Sequence, residues 1–189
     1  MNITVVQPPT SMPISLTQVK QHLRIDNDAE DGVLIDMISS ATDYCEVTLR
    51  KNLIERTLRQ DFSRKDCTSG IFLTGSPVRE VVEILGLSLS GQSVVIPSSD
   101  YTVSFHDGQA HIYIKEIVAP AVIAQGVSVG YLSGFGQTSA EIPGNITRAI
   151  MMLVAHWYEF RGASHRDEPA ENLPLGIETL LAPHRRIAL

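Results

Sequence analysis

The spacing of apolar residues along this chain changes twice. From Ser15 to Lys51 they recur at helical intervals, from Leu53 to about Leu132 they alternate in short runs, and from Pro143 onward the helical interval returns. Ser15-Leu16-Thr17-Gln18 has the form of a capping box and predicts a short helix to about Leu23. Polar residues Arg24–Asp28 break it. A longer helix is expected from about Asp28 to Lys51, with Asp28, Glu30 and Asp31 at its electropositive start. Its predicted inner face is Val33, Leu34, Met37, Ile38, Ala41, Cys45, Thr48 and Leu49.

The middle of the chain reads as strands. Runs at Thr57–Phe62, Ile71–Leu73, Val78–Leu89, Ser93–Ile96, Tyr101–Phe105, His111–Lys115 and Val127–Leu132 are separated by turn-forming residues. Asp107-Gly108 is the strongest hairpin signal among them. Short strands at this spacing predict an antiparallel sandwich or small barrel. A helix then runs from Pro143 to Arg161, with Pro143 and Asn145 as starters and Gly162 as stopper. Ala163–Pro174 reads as a loop and Leu175–Leu181 as a short helix stopped by Pro183. The fold class is therefore α+β: a small helical bundle from residues 14–52 and 140–189, with an antiparallel β-module at 53–139 inserted. Residues 1–13 read as a Pro-rich mobile or docking arm.

The Pro143–Arg161 helix is unusual. Ile146, Ala149, Ile150, Leu153, Trp157 and Phe160 form one stripe, and Met151, Met152, Val154, Ala155 and Tyr158 carry apolar character round the cylinder. A surface helix needs one apolar stripe only. This one calls for a deep core position or a second apolar partner, such as another subunit.

Composition narrows the function classes. The 189 residues carry a formal net charge of −6 and 43% hydrophobic residues. That balance argues against tight non-specific nucleic-acid binding, which needs phosphate neutralisation, and an acidic wall lets DNA slide past. Cys45 and Cys67 make neither a disulfide framework nor a metal site. The opening residues lack the pattern of a signal peptide, and no apolar run has the length of a membrane span. A protein of the reducing cytoplasm is expected.

The candidate chemistry is weak. Asp26–Gly32 resembles a calcium loop, but position six would be Asp31 rather than glycine and position twelve Met37 rather than Glu. Gly130–Gly136 is glycine-rich without being a dinucleotide fingerprint or a nucleophile elbow; a strand running into a turn explains it. His156 lacks the second histidine of a zinc-protease helix. His106 and His111 flank the hairpin turn without a third ligand. No catalytic, cofactor-binding or metal site is expected, and no cofactor. His165, His184, Arg185 and Arg186 read as solvated or docking charge; a sharper reading has Arg185 and Arg186 reach an acidic patch on a neighbour around Asp26–Asp31.

Taken in order, several pieces resemble the head–tail connector (adaptor, or head-completion) proteins of long-tailed bacteriophages, prophages and gene-transfer particles. They are Pro13–Asp26, Gly75-Ser76-Pro77-Val78, Val129-Gly130-Tyr131 with Gly134-Phe135-Gly136, Ile142–Glu159 (the closest match), and Leu180–Arg185. His184 departs from the family, which has an aromatic there. The resemblance implies a non-enzymatic virion protein at the head–tail junction. Its partners would be copies of itself in a ring, typically dodecameric, the portal protein, a tail-side completion protein, and genomic DNA passing through without sequence-specific binding. The interface residues expected on this basis are Met151, Val154, His156, Trp157, Tyr158, Leu180, Leu181, His184, Arg185 and Arg186. A different reading is a β-module that binds a ligand or glycan through exposed Tyr101, Phe105 and Tyr113; alternation with Val103 and Ile112/Ile114 would instead place these rings in the core.

Overall fold

The structure, a computed structural model, describes residues 2–68, 70–115, 118, 122–160 and 175–185. In chain order the elements are β1 (Asn2–Gln7), α1 (Leu16–Leu23), α2 (Asp31–Leu49), β2 (Arg56–Ser63), α3 (Arg64–Thr68), β3 (Ile71–Phe72), β4 (Val78–Leu87), β5 (Ser93–Val95), β6 (Tyr101–His106), β7 (Gln109–Ile114), β8 (Gly126–Ser133), α4 (Gly144–Phe160) and α5 (Leu175–Leu181). Helices and antiparallel sheets coexist, so the α+β class holds. The chain divides into two compact units, Met1–Pro9 with Glu55–Phe135, and Thr10–Ile54 with Gly136–Leu189.

In the helical unit, α1 begins with the expected capping box. The Gln18 amide donates to Ser15 Oγ at 3.2 Å, and the Ser15 amide donates to Gln18 Oε1 at 2.8 Å. The helix ends at Arg24, which takes a left-handed conformation (φ 58°). The acidic turn that follows is folded onto α1, so α2 starts at Asp31, later than periodicity predicts. Lys20 Nζ donates to Asp28 at 2.5 Å and to Asp31 at 2.8 Å. Leu34, Ile38, Ala41, Cys45 and Leu49 form the buried face of α2. Val33, expected inside, is 45% exposed: it sits one position off the Leu34–Ile38–Ala41 line. α4 packs against α1, α2 and α5, and α1 against α2.

The other unit has a five-stranded sheet ordered β1-β2-β8-β4-β5 and a three-stranded sheet ordered β3-β7-β6, antiparallel throughout. Both contribute to one apolar core, including Leu58, Phe62, Ile71, Ile84, Ile112, Val127, Val129 and Tyr131. Tyr131 is fully buried, and its hydroxyl donates to the Thr74 carbonyl at 2.7 Å. The Asp107-Gly108 hairpin is present: both residues have positive φ (49° and 73°), the mirror-image turn that suits strand twist. His106 and His111 are not directly opposite each other across it, since they pair with Gln109 and Ser104.

Two findings in this unit also differ from expectation. Residues 2–7, read as an arm, form β1, which pairs with β2 from Asn2↔Asp61 to Gln7↔Thr57 at one edge of the larger sheet. The aromatic residues of β6 and β7 do not simply enter the core. Tyr101 is partly buried against it, but Phe105 and Tyr113 are about half exposed. Tyr113 falls on the opposite sheet face from buried Ile112 because strand side chains alternate, and Phe105 lies beside the hairpin tip.

Candidate assembly interface

α4 is prepared by the residues before it. Thr138 and Glu141 cap one another: the Thr138 amide donates to Glu141 Oε2 at 3.0 Å. Ile142 is buried, and Pro143 then opens the helix, its carbonyl accepting from the Ile146 amide at 2.9 Å. Ile146, Ala149, Ile150, Leu153 and Val154 are the buried face. This stripe stops short of the helix end. Met151, Met152, His156, Trp157 and Tyr158 are only partly buried, and Phe160 is 50% exposed. The His156 ring lies 4.8 Å from that of Phe160. The Tyr158 hydroxyl donates to Glu30, at the start of α2. Gly162 and the loop expected at Ala163–Pro174, with His165, fall outside the described residues.

Among the residues expected at an interface, Val154 and Leu181 are 0% and 1% exposed. They belong to the subunit's own core and have no surface to offer a neighbour. Met151, His156, Trp157, Tyr158, Leu180 and His184 are half-buried, and Arg185 is exposed. Burial, with a smaller contribution from the Lys51 charge, lowers the His184 pKa. Arg185 Nη2 lies 3.9 Å from Glu178 Oε1. Arg186 is outside the described residues. The acidic turn at Asp26–Asp31, imagined as a target for these arginines, already has a cation from its own subunit. Hydrogen bonds donated to Asp28 and Asp31 hold the Lys20 pKa up, and Lys20 holds that of Asp28 down.

Chemistry of other kinds has little to stand on. Among the described residues, no group of three or more His, Cys, Asp or Glu is placed to hold a metal ion, and no helix is long and apolar enough to cross a membrane. Cys45 and Cys67 are free and buried, and burial raises their thiols to about 12 and about 11. On the β-unit, Phe72 stacks on His111 at 3.9 Å and Tyr113 meets it edge-on at 4.1 Å. Phe72 was not singled out from sequence; its pairing opposite His111 depends on strand register.

The α1–α2 region decides the comparison with known proteins. Residues 13–72 match the phage gp6-like head-tail connector protein family. The resemblance read from the opening residues therefore holds for that stretch of the connector pattern. The fold extends the likeness along the chain. A chain of the virion of the native gene transfer agent (GTA) particle superposes with a TM-score of 0.81 at 21% identity, covering 100% of this chain and 97% of that one. A chain of the neck of the empty GTA particle, computed with C6 symmetry, gives 0.78 at 20% identity with the same coverage. One from the neck of the native GTA particle, computed with C12 symmetry, gives 0.75 at 19% identity, also covering 100% and 97%. At such identities the likeness to the neck chains is one of fold. No curated protein matches the chain.

Proposed function

We propose that the protein is a structural head–tail connector subunit. Copies form a ring beneath the portal, extend the DNA channel and present a surface to a tail-side protein. The observation that carries this reading is the connector-family match at residues 13–72, within a chain whose fold matches GTA neck chains along its full length. The partly exposed apolar end of α4 supports it, since a ring subunit must bury surface against its neighbours. A net charge of −6 suits a channel past which DNA slides. No step of this role asks for a catalytic group. The virion is the site of action, and the host cytoplasm the place of assembly.

Electron microscopy of purified portal mixed with the protein tests the proposal. A closed ring of added density beneath the portal is the expected result. Portal particles without that density overturn it. The ligand-binding reading of the β-module draws on exposed Phe105 and Tyr113 and the Phe72–His111–Tyr113 cluster. Tyr113→Ala that keeps its stability but loses retention on a glycan array would favour that reading.

A further inference from the structure

Val33, Asp36, Ser40, Asp43 and Val47 of α2 follow one another at steps of three and four and are all exposed. Residues spaced in this way lie on one line along a helix, like the seam of a coiled coil. The stripe is narrow and acidic, with a valine at each end; Val47 is 78% exposed. Between Asp31 and Leu49 the helix carries no Lys or Arg.

The same unit carries a groove of opposite character between α1 and α4, about 540 Å³ in volume. Partly buried Met151 supplies apolar lining above buried Ile14, Arg148 supplies a cation, and His22 supplies an imidazole that can donate a hydrogen bond. Gly144 lines it as well, and a Cβ there would meet nothing within 4 Å. The groove can thus admit a helix backbone closely. Asp36, Asp43, His22 and Arg148 make no ion pair among the described residues.

We propose that the α2 stripe of one copy seats in the α1–α4 groove of the next copy. This rests on the ring reading above. Charge selects the arrangement. Two α2 stripes face to face would oppose four carboxylates, and two grooves would oppose their Arg148 guanidinium groups, so both symmetric pairings are disfavoured. Stripe into groove joins unlike surfaces, the head-to-tail contact that closes into a ring at the right rotation. The valines add apolar contact against partly buried Met151, in the manner of an amphipathic helix in a groove.

The test uses the full chain with portal rings. D36K/D43K and H22E/R148E each reverse one surface at exposed positions, and the quadruple variant reverses both. Circular dichroism melts report whether each still folds. Each double variant is expected to weaken ring formation by about tenfold or more, and the quadruple to restore it to within about threefold of wild type. Gly144→Trp, which fills open space, is expected to block assembly while folding normally. Folded double variants that assemble like wild type overturn the contact and leave the ring reading standing. Folded doubles that fail to assemble and are not rescued by the quadruple also overturn it, because a portal helix or other partner then occupies the groove. Wild-type protein that forms no ring overturns the ring reading and this contact with it.

Discussion

The Tyr131 hydroxyl lies 2.7 Å from the carbonyl oxygen of Thr74, joining strand β8 to the segment before β4 inside the β-unit core. Burial pushes the phenol up to about 12, with the Thr74 hydrogen bond pulling slightly the other way. Tyr131→Phe leaves a carbonyl short of its donor and is expected to lower stability by about 1–3 kcal/mol, read from urea unfolding. Spectrophotometric titration of the folded wild type should show this phenol ionising only near the alkaline limit.

Lys20 is tied to Asp28 and Asp31 by hydrogen bonds. Its pKa is raised, so its stabilising effect is present below the usual lysine value of 10.5 and is lost as pH rises through the higher folded value. Asp28 is lowered, so its effect is present above 3.8 and is lost as pH falls through the lower folded value. The difference in Tm between wild type and Lys20→Met should be widest near neutrality and shrink at both ends. A difference constant from pH 2 to pH 11 would contradict this.

The thiols at Cys45 and Cys67 are raised by burial to about 12 and about 11. Both should react slowly with a disulfide reagent at pH 8 in native protein and promptly in guanidinium. Fast native labelling of either would show local opening of its helix.

Gly126 begins β8 at φ 127°, and a Cβ there would sit 2.0 Å from the backbone oxygen of Phe62. Neither backbone can yield without breaking the β2–β8 ladder. Gly126→Ala should cost at least about 2 kcal/mol by thermal or urea unfolding, whereas Gly91→Ala, with open space around it, should cost about 1–2 kcal/mol for its positive φ alone.

Val154 and Phe160 separate buried core from exposed surface on one helix. Val154 is fully buried, and Val154→Ala should lower subunit stability by about 1–3 kcal/mol. Phe160 is 50% exposed, and Phe160→Ser should leave the subunit's Tm within a degree or two, or about 0.5 kcal/mol, while weakening assembly on the portal. Trp157 is partly buried, so Trp157→Ala should fall short of the roughly 3–5 kcal/mol typical of a fully buried ring.

Features set by adjacent residues were legible in the sequence. The Ser15–Gln18 capping box and the Asp107-Gly108 turn need only a few neighbouring positions, and both formed as read. Strand β1 was missed because Ile3–Val6 is short and followed by two prolines, and its partner lies more than fifty residues away. Helix α3 was missed because four polar residues and one buried cysteine inside a strand-like region give no period; a Ser63–Asp66 hydrogen bond at 2.8 Å starts it. Periodicity marked α4 as apolar on more than one face but could not say which face the subunit keeps. That depends on α1, α2 and α5, which bury Val154 and Leu181 and leave Met151 and Phe160 outside. The complementary surfaces of α2 and the α1–α4 groove were invisible for the same reason: each combines residues whose exposure only packing decides.

The chain passes between its two units three times, after Pro9, after Ile54 and after Phe135. During synthesis β1 emerges before the strand it pairs with, which ends only at Ser63, and β8, beyond that strand, appears after residue 125. The helical unit likewise waits for α4 before Leu34 and Ile38 gain a complete cover. The β-unit cannot finish folding before residue 135 is made, nor the helical unit before α4 and α5, so the nascent protein carries half a helical core while the β-unit is being completed. Excising residues 55–135 would not free a self-sufficient domain. It would strand β1 on the piece left behind.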